Sequence, residues 1–94
     1  MISKDMVNKI TPILKGHQVL RASIFGSFAM GTQRPDSDLD LRVQLPENGT
    51  LFDFVELKME LEEALGRKVD LISYGAKIHP VVLAGILKEE IPLF

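Results

Sequence analysis

Five residues of this chain have types and spacings that could do chemistry together: Gly26, Ser27, Asp38, Asp40 and Asp70. Asp38 and Asp40 fall in "SDLDLRVQL", where apolar and polar residues alternate as they do in a half-buried strand. Alternate side chains of a strand leave the same face, with Cα atoms about 6.5–7 Å apart at a rise of ~3.3 Å per residue. Two carboxylates that close can converge on one divalent cation or bridge a pair. Without a cation they repel, and one of them holds its proton more tightly. Magnesium suits them, since it takes oxygen ligands: one or two carboxylates, completed by phosphate oxygens and water. Asp70 lies in "KVDLIS", between Val69 and Leu71, where a lone carboxylate is costly unless something compensates for it. On a strand beside the first, it would complete a trio, and three carboxylates around two metal ions suit in-line displacement at a phosphoryl group. Gly26 and Ser27 follow an apolar run. A turn there exposes backbone N–H groups that can bind phosphate oxygens, and glycine lets the backbone approach closely.

The elements that must position these groups are legible from periodicity. Ser3 caps a first helix with apolar residues at Met6, Val7, Ile10, Ile13 and Leu14; Gly16 ends it, and Pro12 is expected to kink it. Residues 19–25 read as a strand broken by Gly26, and "SFAMG" as a short turn or single helical turn. Residues 38–45 form a second strand with Leu39, Leu41, Val43 and Leu45 on one face and Asp38, Asp40, Arg42 and Gln44 on the other. Thr50 with Asp53 forms a capping box for a helix running to Leu65, stopped by Gly66. "KVDLIS" is a third strand, Pro80 opens a helix running to about residue 90, and "IPLF" reads as a short last strand. The tight link between the first two strands predicts an antiparallel pair; the helix between the second and third predicts a parallel one. The fold class expected is α/β (α+β): a small mixed β-sheet with helices packed on it, as a single domain over residues 1–94.

Composition removes several alternatives. With no cysteine among 94 residues, disulfides, zinc–thiolate sites and thiol nucleophiles are excluded, which suits a cytoplasmic location. The net charge of −2 leaves no basic footprint for nucleic acid. No apolar run approaches the roughly 18–20 residues that span a bilayer, and the charged opening residues do not read as a signal peptide. Asp36, Asp38, Asp40 and Glu47 match positions of a calcium loop, but Leu41 stands where its sharp turn needs glycine. His17 and His79 are isolated and read as surface or capping residues. Tyr74 reads as structural, and the methionines as gap fillers.

The combined motif "GSFAMGTQRPDSDLDL" followed by "VDLIS" resembles the signature of the DNA polymerase beta nucleotidyltransferase superfamily, in its minimal bacterial and archaeal form. The resemblance implies the nucleotidyltransferase fold, Gly26 and Ser27 at a triphosphate, Asp38 and Asp40 as metal ligands, and Asp70 as the third carboxylate. It implies magnesium, one or two ions, with ATP as the nucleoside triphosphate. Minimal members pair with a HEPN-type toxin as its antitoxin, and some transfer AMP to a tyrosine of that partner. Neutralisation of the partner by binding alone is the alternative. The C-terminal "GILKEEIPLF" could serve that interface or a homodimer. Many relatives have arginine where this chain has Met30, and Arg34 or Arg42 would then have to reach the phosphates.

Overall fold

The computed structural model describes residues 2–94. Elements follow in the order α1 (Lys4–Gly16), β1 (Arg21–Phe25), α2 (Gly26–Met30), β2 (Leu39–Gln44), α3 (Leu51–Leu65), β3 (Val69–Ser73), α4 (Pro80–Glu89) and β4 (Ile91–Pro92). The four strands form one mixed sheet in the order β3-β2-β1-β4. β1 pairs antiparallel with both β2 and β4, whereas β2 and β3 run parallel.

The caps act where the residue types placed them. The Ser3 hydroxyl accepts from the Met6 N–H, and α1 runs through Pro12 to Gly16. At the start of α3, Thr50 and Asp53 exchange side-chain-to-backbone bonds of 2.8 and 3.2 Å. The His79 Nδ1 accepts from the Val81 N–H at 3.2 Å, so this histidine is a cap. His17 pairs with Glu60 and ties α1 to α3.

β1 starts two residues later than its apolar run suggests. Gln18 has φ 61°, in the left-handed region, so the chain is still turning out of α1 there, and Leu20 ends up 59% exposed. The core lies on one face of the sheet. Leu39, Leu41 and Val43 of β2 point into it, fully buried, with Ala22 and Ile24 of β1, Val69 of β3, Ile10 and Leu14 of α1, and Leu57 and Leu61 of α3. Burying each large aliphatic side chain contributes about 1.5–3 kcal/mol. That core holds the sheet rigid and leaves its other face to polar residues and to α4. None of the helices among the described residues is long and apolar enough to cross a membrane.

Candidate active site

The parallel register of β2 and β3 sets Asp40 directly beside Asp70. Neighbouring strands lie about 4.8 Å apart, so two carboxylates in register on the same face meet. The Asp40 carboxyl is pushed up from 3.8 to about 6, first by burial, then by Asp70, then by the charges of Asp38 and Glu89. Each cause disfavours the ionised form.

Asp38 sits just before β2 and acts on Asp40 through its charge. The turn ahead of it is fixed from two sides. The Ser37 Oγ accepts from the Arg34 N–H at 2.7 Å, and the Arg67 Nη1 donates to the Ser37 carbonyl at 2.9 Å. The Arg67 guanidinium also lies 5.1 Å from the centre of the buried Phe28 ring of α2. Arg67 therefore anchors both segments that flank the site.

Gly26 lies against the same carboxyl group. Its φ of +69° turns the chain from β1 into α2, and a Cβ at this position would stand 2.1 Å from Asp40 Oδ2. No residue but glycine fits there without displacing Asp40. Its N–H donates to Glu89 Oε1 at 3.1 Å. Ser27 follows in α2, half-buried, and Gly31 closes that short helix in the left-handed conformation at φ 74°. Asp40 and Asp70 also line an open groove of about 390 Å³, whose other walls include Phe25, Lys58, Ile72, Val82 and Ile86.

The five residues expected from sequence thus divide. Asp40, Asp70 and Gly26 meet at one spot; Asp38 and Ser27 flank it. As placed, no three acidic or histidine side chains among the described residues form a ready cation cage. The donors nevertheless suit a hard dication: they are carboxylate oxygens, and the crowding that raises Asp40 is what a bound cation would relieve.

Glu89 is a participant that sequence reasoning missed. It lies in the C-terminal stretch read as a possible interface, and the packing of α4 on the polar face brings it to Gly26. Arg42 departs from expectation in the other direction. Its Nη1 is turned to Glu90 and bonded to both carboxylate oxygens, at 3.0 and 3.3 Å. Met30, at the end of α2, is 61% exposed.

Comparison with known proteins bears on the family and the fold. Residues 8–94 match the family model described as polymerase beta, nucleotidyltransferase. A candidate protein adenylyltransferase of Methanocaldococcus jannaschii is 47% identical over 87 residues, spanning 93% of this chain and 92% of that protein. The protein adenylyltransferase MntA of Thermococcus cleftensis is 35% identical over 74 residues, spanning 70% of this chain and 75% of its own. A crystal structure of a toxin–antitoxin with AMP-PNP superposes with a TM-score of 0.79 at 27% identity, covering 94% of this chain and 72% of that one.

Proposed function

Since the chain belongs to the polymerase beta nucleotidyltransferase family and is a nucleotidyltransferase, we propose that it moves AMP from ATP to a hydroxyl of a partner protein. The α-phosphorus forms a bond to the acceptor oxygen as its bond to the bridging oxygen of pyrophosphate breaks. The partner is a HEPN-type toxin, for which this chain acts as antitoxin. The observation that carries the reading is the register that seats Asp40 beside Asp70, with a glycine backbone pressed against the same carboxyl group. Names of the relatives support the acceptor class: protein adenylyltransferases, and a toxin–antitoxin structure holding a nucleotide analogue.

Asp38, Asp40 and Asp70 would hold magnesium. When bound, it neutralises the triphosphate and polarises the reacting phosphoryl group. The chain's own residues do the rest. Gly26 and Ser27 offer an N–H and a hydroxyl to the triphosphate oxygens and fix its direction. Asp70, on the edge strand, accepts the proton of the incoming hydroxyl. The groove beside both aspartates gives the acceptor a route to the phosphorus.

The test is transfer of label from α-labelled ATP, with magnesium, to the HEPN-type partner. Label should appear on the partner and fall by about a hundredfold or more in D38A and D40A. A tight complex that takes no label, unchanged by either substitution, would mean neutralisation by binding alone.

A further inference from the structure

Glu89 and Glu90 are consecutive, yet their carboxylates go to opposite ends of the polar face. Glu90 accepts from Arg42 and from the Ser23 hydroxyl, which fixes the end of α4 to the sheet. Glu89 accepts from the Gly26 N–H at 3.1 Å and lies close enough to Asp40 to disfavour its charge. This is an odd place for an anion, because the site already carries Asp38, Asp40 and Asp70. The Gly26 amide is what compensates it, and that amide is the donor a triphosphate oxygen would need. Arg42, two residues along β2, offers no relief, since Glu90 holds it.

We propose that Glu89 is a positioning residue that occupies the nucleotide's place. Its carboxylate keeps the left-handed Gly26 turn formed in the free protein and yields that amide to the triphosphate on binding. Glu90 stays on Arg42 throughout, so the exchange is a swing of one side chain and not a movement of α4. The proposal rests on the transferase reading above. Because the binding-competent form is only part of the free population, Glu89 weakens the apparent nucleotide affinity by that fraction.

The test is a titration of the full chain with magnesium and AMP-PNP, followed by amide and side-chain carboxyl NMR. The Gly26 amide and the Glu89 carboxyl should shift along one binding curve while the Glu90 carboxyl stays put. E89Q, which loses the charge, should bind the same probe about three- to tenfold more tightly. Binding that moves Gly26 but leaves the Glu89 carboxyl unmoved would overturn the proposal alone, as would equal or weaker binding by E89Q. Release of the Gly26 amide by magnesium without nucleotide would also overturn it, since Glu89 would then be answering to the cation. Absence of any nucleotide response, at Asp38 and Asp40 as well, would overturn both this proposal and the transferase reading.

Discussion

Asp40 and Arg42 are alternate residues of one strand, on one face, yet their surroundings are opposite in kind. Arg42 is 9% exposed and its charge is matched by Glu90 at 3.0 Å. Around that pair the hydrogen bonds close on themselves: the Tyr74 hydroxyl reaches Ser23, and Ser23 reaches Glu90. The Tyr74 ring lies between two guanidinium groups, Arg21 at 3.9 Å and Arg42 at 4.1 Å. The charges that push Asp40 up are negative, Asp70, Asp38 and Glu89, and Lys58 lines the groove it shares with Asp70. One end of the face is a charge-matched network that holds α4 down, with the Arg42 Nε left buried and without a hydrogen-bond partner. The other is a collection of like charges that the fold tolerates and a cationic or metal-bound ligand would relieve. Stability and chemistry have been separated by two residues along β2, and the adjacent pair Glu89 and Glu90 serves one each.

If that division is right, the largest stability cost lies at the charge-matched end. E90A leaves the Arg42 guanidinium buried without a counter-charge, a situation that costs about 3 kcal/mol or more. Urea unfolding should show that loss. A cost below about 1 kcal/mol would break the comparison, because the pair would then be no more than a surface bridge.

The next effect belongs to the other end and should appear mainly in activity. G26A places a Cβ where Asp40 Oδ2 now sits, 2.1 Å away, and forces alanine to a φ of +69°. The strained backbone costs about 1–2 kcal/mol. Displacing the Asp40 carboxyl by about an ångström should lower transfer about a hundredfold. G66A is the control, since Gly66 has φ +63° but open space around its Cβ position. It should carry a similar backbone cost and leave transfer intact. Equal activity losses in the two variants would show that Gly26 matters for its backbone angle and not for its contact with Asp40.

The two ends also differ in how far they could be read from sequence. The acidic end was visible because its signals are local: alternation placed Asp40 opposite Leu39 and Leu41, and a helix between two strands implied the parallel pair that joins Asp40 to Asp70. The capping box at Thr50 and Asp53 was legible for the same reason. The Arg42 end was not, because its partner is 48 residues away. A signal was present: an arginine between buried Leu41 and Val43 on an inner strand must find a counter-charge. Nothing in periodicity says which acidic residue answers. Ser23 is buried for a related reason, since β1 is flanked by β2 on one side and by the two-residue β4 on the other.

The smallest effect is a matter of pH, and it separates the two ends most directly. Asp40 is raised from 3.8 to about 6 in the folded chain, chiefly by burial and by Asp70. The folded state therefore binds this proton more tightly than the unfolded state does. The stability that Asp40 contributes is fully present below about pH 4 and is lost as pH rises through about 6. Undiscounted, a shift of that size is about 3 kcal/mol, but the carboxyl is only partly buried, and screening by solvent reduces it to about 1 kcal/mol. D40N has no charge to bury. In a chelator-containing buffer it should be more stable than the parent chain by about 1 kcal/mol at pH 8, and the gap should close toward pH 4. Urea titrations at pH 4, 5, 6 and 8 measure it. At the other end, the Arg42 guanidinium keeps its charge throughout that range. A gap that stayed constant with pH, or widened toward acid, would mean that the carboxylates around Asp40 are not in conflict in the free protein, and the contrast with Arg42 would lose its physical basis.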